Sequence, residues 1–366
     1  SGFKPLWLPD WLFDFQKALT EWAIRKGRAA IFADCGLGKT PMQLVWAENV
    51  VRKTKGRVLI LTPLAVSAQT KREADKFGVE AGISRQGKPC NGITVTNYER
   101  LHHFRSEDFA GVVCDESGIL KSFGGKLRRR ITDFLQGVRW RLLCSATPAP
   151  NDFVELGNSS EALGNTNRNA MLRTYFLAAD DPVGNIESTH HWRLKAHAQK
   201  TFWRWVASWA RAVRKPSDLG YRDGDFRLPE LVMHQHVVEG FLKQKGLGVF
   251  PTLARTLHEQ RAERRETLVP RCRKVAELIP KNLPAVVWCH LNAEGNLLEK
   301  LIPGAVQVAG SDSDEWKELA VEWFTGAKCI CQLKSKRNCA KLTGCGSQNT
   351  IKDEEKSTGL IRKKEP

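Results

Sequence analysis

The residues best suited to chemistry lie between positions 33 and 147. Ala33-Asp-Cys-Gly-Leu-Gly-Lys-Thr40 fits a relaxed phosphate-loop pattern, with Ala33 standing where the strict form has Gly. Gly36 and Gly38 allow backbone N–H groups to turn inward around phosphate oxygens, and a helix beginning at this point adds its positive end. Lys39 would bring a point charge to the β- and γ-phosphates, and the Thr40 hydroxyl could ligate Mg²⁺. The plain alternative is an accidental Gly-rich turn. Val112-Val-Cys-Asp-Glu116 follows about 75 residues later, an apolar run ending in paired carboxylates. Asp115 would hold Mg²⁺, usually through water, and Glu116 would orient or deprotonate the attacking water. Alone, such a pair is more often a solvated strand end; paired with a phosphate loop it completes a nucleotide site. In Ser145-Ala146-Thr147, small hydroxyl residues could bond to those carboxylates and touch a neighbouring domain. That arrangement would couple the state of the γ-phosphate to domain movement.

These segments need strands that end at one edge. Residues 12–26 space apolar side chains at helical intervals, and 41–53 do the same after the loop. The runs RAAIFA, RVLILTP, ITVTNYERL, GVVCDES and RWRLLCSATP are short and rich in Val, Ile and Leu, and each passes into polar or turn residues. Between them AQTKREADKFG and GKLRRRITDFLQ read as helices. Alternation of buried strands and helices predicts an α/β fold: a parallel sheet covered on both faces, with ligand at the carboxyl ends of the strands.

Further along, Trp192, Trp203, Trp205 and Trp209 sit among Arg and Lys in a helical pattern that continues to Arg214. They would form a stacking platform or, more often for such spacing, core packing. Arg128-Arg129-Arg130 would touch phosphate or line a solvated helix face. Residues 285–310 return to strand, helix, strand, with Val286-Val-Trp-Cys-His290 as the strand. From about Ala327 apolar periodicity is lost and Lys, Ser, Thr and Gly dominate, which predicts a poorly ordered basic tail. Cys329, Cys331, Cys339 and Cys345 in that tail lack zinc-knuckle spacing, so free thiols are expected over a metal site.

Several segments together resemble superfamily 2 helicases and translocases. Asp115-Glu-Ser-Gly118 is similar to motif II, Ser145-Ala-Thr147 to motif III and Thr62-Pro63 to motif Ia. Phe15-Gln16 lies upstream of the loop, where this superfamily often reads adenine with a Gln. The Swi2/Snf2-like branch fits best: Asp34 to Thr40 resembles its D-x-G-x-GKT loop, and Thr96-Asn-Tyr-Glu99 its T-x-Y-E segment. Ser145-Ala-Thr-Pro-Ala-Pro-Asn-Asp152 with Glu155-Leu156 resembles its motif III extension, and the Lys121 and Lys126 region its stretch after motif II. Phage-encoded helicases of this type resemble the chain most. The resemblance implies a RecA-like P-loop NTPase domain with a helical insertion and a second RecA-like domain. It implies ATP and Mg²⁺ as ligands and DNA as partner. It places Gln16, Gly36, Gly38, Lys39 and Thr40 on the nucleotide and makes Lys39, Asp115 and Glu116 catalytic. It also implies DNA-backbone contacts through Thr62, Pro63, Thr96 and Asn97, which suits a motor indifferent to sequence.

The expected organisation is an ATP-binding domain over 1–165, a helical insertion and linker over 166–280, a partial second RecA-like domain over 281–326, and the tail over 327–366. The resemblance stops beyond Gly326, where neither a Gly-rich motif V nor a Q-x-x-R-x-x-R motif VI with its arginine finger is found, so the second domain is expected to be incomplete. The net charge of +17 and pI near 9.5 favour a polyanionic partner. No apolar run is long enough for a bilayer, no signal peptide is evident, and ten scattered cysteines suit a reducing cytoplasm, that of a bacterial host if the gene is phage-borne. The expected activity is ATP-dependent DNA helicase or translocase action, with replication or restriction proteins as accessory partners. The alternatives are an ATP- and DNA-binding module without productive turnover, and the motor part of a restriction system.

Overall fold

A computed structural model describes residues 2–121, 125–179, 191–224, 226, 229–238, 256–280 and 284–324. The chain divides into two compact units, Ser1–Glu230 and Leu231–Pro366.

In the first unit, α1 (Asp14–Lys26) leads through Gly27, whose φ of 79° ends the helix, into β1 (Arg28–Ala33). After the loop come α2 (Lys39–Thr54), β2 (Val58–Thr62), α3 (Ser67–Lys76), the short edge strand β3 (Ala81–Ile83) and β4 (Ile93–Asn97). Then follow β5 (Gly111–Cys114), α4 (Lys126–Gln136), β6 (Trp140–Cys144), α5 (Leu156–Leu163) and α6 (Arg168–Tyr175). An antiparallel pair, β7 (Phe176–Ala179) and β8 (His191–Leu194), precedes α7 (Gln199–Trp209) and β9 (Ala210–Val213).

Seven strands form one sheet in the order β3-β4-β2-β5-β6-β1-β9, every adjacent pair parallel. The unbroken apolar runs follow from burial on both faces. Successive residues alternate between two cores: Leu59, Leu61, Val112, Cys114 and Leu143 face one way, and Val58, Ile60, Val113, Leu142 and Cys144 the other. α1, α2 and α3 cover the second face with Phe15, Leu19, Met42, Trp46 and Ala74. α4 to α7 cover the first with Ile131, Leu156, Met171, Phe202 and Trp209. This is a RecA-like α/β arrangement. The crossover from β1 to β2 passes over β6 and β5, and β9 lies on the other side of β1. That reversal opens a crevice at the carboxyl end of β1.

Two expectations for the middle of the chain change. The first unit continues to Glu230 instead of closing near 165, because β9 pairs with β1 from Ala30↔Ala210 to Ala33↔Val213 and completes the sheet. The run Ala-Arg-Ala-Val is too short and too polar to announce a strand by itself. Trp192 lies on β8 and not on a helix. The packing reading accounts for the others in part. Trp209 is fully buried and Trp205 packs on the core, whereas Trp203 is 40% exposed and stands edge-on to Phe153 at 5.0 Å.

The second unit, described by itself, carries α8 (Leu257–Glu266), α9 (Leu268–Leu278), α10 (Asn292–Leu301) and α11 (Asp314–Phe324). α9 and α10 pack together, and Arg271 reaches Glu294 at 2.6 Å. The strand expected over Val286–His290 is not formed: among the described residues this segment pairs with no strand, and Trp288 is 92% exposed. A strand of this kind depends on neighbours for its hydrogen bonds, and an apolar run cannot supply them. The four tail cysteines lie outside the described residues. No described helix is long and apolar enough to cross a membrane, and the six described cysteines are free.

Candidate active site

Adjacent strands β5, β6 and β1 bring three loops to one edge of the sheet. The loop after β1 turns through Gly36 (φ 81°) and Gly38 (φ 74°), both left-handed, and Gly38 starts α2. Glycine takes this backbone without cost, whereas an L side chain does not. Asp34 Oδ1 accepts from the Cys35 amide at 2.7 Å, and the Asp34 amide is tied to the Val213 carbonyl at 3.0 Å, so β9 anchors the loop's first residue. Pro41 sits in the first turn of α2, where its missing N–H costs nothing.

Gln16 is buried beneath this loop. Its Nε2 donates to the Leu37 carbonyl at 2.9 Å and its Oε1 accepts from the Phe13 amide at 3.2 Å. Both ends of its amide are therefore engaged in joining the start of α1 to the loop. A Cβ on Gly38 would come within 2.4 Å of Gln16 Nε2, so the glycine is needed for space as well as for its backbone angle.

Lys39 opens α2 and folds back toward β1. Its Nζ donates to the Ala33 carbonyl at 3.1 Å and stands 3.9 Å from Glu116 Oε1. One turn along the same helix, Gln43 Nε2 donates to Asp115 Oδ1 at 2.6 Å, and both side chains are buried. Burial raises the Asp115 carboxyl above its ordinary value. The Gln43 bond opposes this, Glu116 adds repulsion and Lys39 relieves it. The neighbouring Cys114 and Cys144 thiols are also pushed up by burial, Cys114 to about 12, so both remain neutral packing groups. Glu116 has a φ of 51°, left-handed for a residue with a side chain. Its Oε2 accepts from Ser145 Oγ at 3.4 Å, and Ser145 Oγ also accepts from the Thr147 amide at 3.1 Å. Ala146 lies between these two residues. Lys39, Asp115, Glu116 and Ser145 thus form one linked group, with Gln43 as a member that sequence patterns did not single out. Its place four residues after Lys39, on the same helical face, was the available signal.

The residues fit a nucleoside triphosphate with Mg²⁺. The left-handed Gly36 and Gly38 form a backbone cradle at a helix N-terminus, Lys39 supplies positive charge, and Thr40 and Asp115 are oxygen donors of the kind Mg²⁺ takes.

The four residues nominated for nucleic acid are placed differently. Thr62, Thr96 and Asn97 are at most 1% exposed. Thr62 Oγ1 bonds Ser67 Oγ at 2.8 Å, Thr96 Oγ1 donates to the Ser84 carbonyl at 2.8 Å, and Asn97 Oδ1 accepts from the Arg100 amide at 3.1 Å. Their side chains hold the loops after β2 and β4, and of the four only Pro63 is partly exposed. Of the Arg128–Arg130 cluster, Arg128 turns toward Glu161 at 3.8 Å. Arg129 and Arg130 instead line an open groove of about 640 Å³ with Lys126 and Arg105, alongside Glu107 and Asp133. Arg105 pairs with Glu107 at 3.2 Å.

No family model matches the chain, and no curated protein does. Among solved structures it is similar to the Sulfolobus solfataricus SWI2/SNF2 ATPase core in complex with dsDNA, at 15% identity and TM-score 0.43, covering 58% of this chain and 46% of that one. It is similar to the UvsW helicase from bacteriophage T4 at 12% identity and TM-score 0.35, covering 42% and 58% respectively. The Pyrococcus furiosus Hef helicase domain matches at 16% identity and TM-score 0.34, over 41% of this chain and 36% of that one. The chain spans about half or less of the length of most of these structures. It is similar to SWI2/SNF2 ATPase cores and to helicase structures, and the likeness is one of fold.

Proposed function

We propose that the first unit binds ATP with Mg²⁺ and hydrolyses it as the motor of a DNA helicase or translocase. The observation that carries this reading is the linked group Lys39–Glu116–Ser145 beside the buried Gln43–Asp115 pair, under a left-handed glycine loop at the start of α2. Gly36, Gly38 and the first turn of α2 bind phosphate through backbone N–H groups, and Lys39 adds charge. Thr40 and Asp115 would hold Mg²⁺, which when bound neutralises charge on the phosphates. Glu116, partly exposed and oriented by Ser145, accepts a proton from the attacking water. Ser145 and Thr147 are the residues through which the carboxylates sense a neighbouring domain. Gln16 acts here by holding the loop. DNA is the polyanion that the charge of +17 and the groove of Lys126, Arg129 and Arg130 suit, and its phosphates are the groups recognised.

A second reading is an ATP- and DNA-binding module without turnover. One observation favours it: the segment Val286–His290, which would open a second RecA-like sheet, pairs with no strand among the described residues. ATP hydrolysis measured with and without double- and single-stranded DNA, beside Glu116→Gln, separates the two. DNA-stimulated turnover that is lost in the variant is expected. Nucleotide binding with turnover no higher than the variant's would overturn the motor reading and leave the module.

A further inference from the structure

Asp115 is held from two sides. Gln43 on α2 grips its carboxylate, and Tyr98, the residue that follows β4, donates its hydroxyl to the Asp115 backbone carbonyl at 2.6 Å. Tyr98 is 1% exposed and lies in the core on one face of the sheet. Burial pushes its phenol well above the ordinary value, with Cys114 and Asp115 adding to the effect, so the hydroxyl stays protonated and remains a donor.

The carbonyl that Tyr98 grips belongs to the peptide linking Asp115 to Glu116. Glu116 then leaves this peptide at φ 51°, and Glu116 and Lys55 are the two non-glycine residues with positive φ among those described. A residue with a Cβ persists in this region only where its surroundings over-determine it, because the conformation costs on the order of 1–3 kcal/mol. Rotation about the N–Cα bond of Glu116 is measured against the plane of the preceding peptide. A hydrogen bond that pins that plane fixes the frame in which the left-handed φ of Glu116 directs its side chain. From this backbone the Glu116 carboxylate reaches Lys39 at 3.9 Å and Ser145 at 3.4 Å.

We propose that Tyr98 is a positioning residue for the hydrolysis: by fixing the Asp115 carbonyl it fixes the peptide from which the left-handed Glu116 aims its carboxylate at the Lys39–Ser145 side of the site. This rests on the ATPase reading. Tyr98 touches neither nucleotide nor metal in this scheme and acts through the Asp115–Glu116 peptide alone.

Tyr98→Phe removes one oxygen and leaves the ring packing in place. In the full chain, kcat for ATP falls about tenfold, while KM and the affinity for ADP stay within about twofold, because Lys39 and the loop are untouched. Amide hydrogen exchange of the segment 115–118 quickens in the variant, and that of β1 does not. A kcat within twofold of wild type, an equal loss of ADP affinity, or unchanged exchange at 115–118 would each overturn the proposal. If the wild-type chain itself fails to hydrolyse ATP, the ATPase reading is what fails. The exchange measurement then still decides whether Tyr98 pins the peptide.

Discussion

Gly38→Ala tests the most crowded point of the nucleotide loop. Two separate costs follow from its position. Gly38 has a φ of 74°, and placing a Cβ there costs about 1–2 kcal/mol in backbone strain. The new Cβ would also stand 2.4 Å from Gln16 Nε2 and 3.3 Å from Pro41 Cγ, so Gln16 must move. Moving it breaks the buried bond to the Leu37 carbonyl at 2.9 Å and loosens the Phe13 bond at 3.2 Å. Leaving such a buried group unpaired costs about 1–3 kcal/mol. The substitution should therefore destabilise the first unit by roughly 2–5 kcal/mol. A double-mutant cycle with Gln16→Ala divides the two parts. With Gln16 already removed, the steric part is gone and Gly38→Ala should cost only its backbone share, giving a coupling of about 1–3 kcal/mol. Urea unfolding of the four proteins measures this. Strictly additive penalties, or a Gly38→Ala protein within about 0.5 kcal/mol of wild type, would refute the account of why glycine occupies the position.

Other perturbations read independent features. Lys55 ends α2 at φ 55°, so Lys55→Gly should stabilise the chain by about 0.5–1 kcal/mol in thermal or urea melts without changing nucleotide affinity. Burial raises the Asp115 carboxyl, so this group favours the folded state below the ordinary carboxylate range and loses that contribution as pH rises through its raised folded value. Asp115→Asn should abolish hydrolysis yet gain stability over wild type as pH rises from the ordinary carboxylate range upward, measured by urea unfolding in chelator-containing buffer so that no metal contributes. An advantage that shrinks with rising pH would contradict the sign. If Lys126, Arg129 and Arg130 each meet a phosphate, replacing all three with Gln should lower the slope of log affinity against log salt for duplex DNA by about 2–3. An unchanged slope would remove the groove from the DNA surface.

Much of the first unit was legible in the sequence, for local physical reasons. Unbroken Val/Ile/Leu runs bounded by turn residues specify doubly buried strands, and helical spacing specified α1 to α4 to within two residues. Glycines at 36 and 38 announced a left-handed loop, and Asp115-Glu116 after an apolar strand announced an acidic strand end. These signals reside in backbone preference and in the period of the pattern, which a short window contains. What the tertiary structure decided lies beyond any such window. The order β5-β6-β1 brings Asp115, Ser145 and Lys39 to one crevice, and β9 joins the sheet through pairing that its four residues do not advertise. Gln43 meets Asp115 across 72 positions, and Tyr98 meets the Asp115 carbonyl across 17. Gln16 lies 21 positions from Leu37, so its type and location suited adenine, while only packing revealed that its amide is engaged with the loop. Likewise Thr62, Thr96 and Asn97 have the chemistry to grip phosphate, and only the fold buries them under their own loops. A polar side chain's type states which bonds it can make; the surrounding packing chooses which of them it makes, because a buried donor or acceptor must find its partner inside the protein.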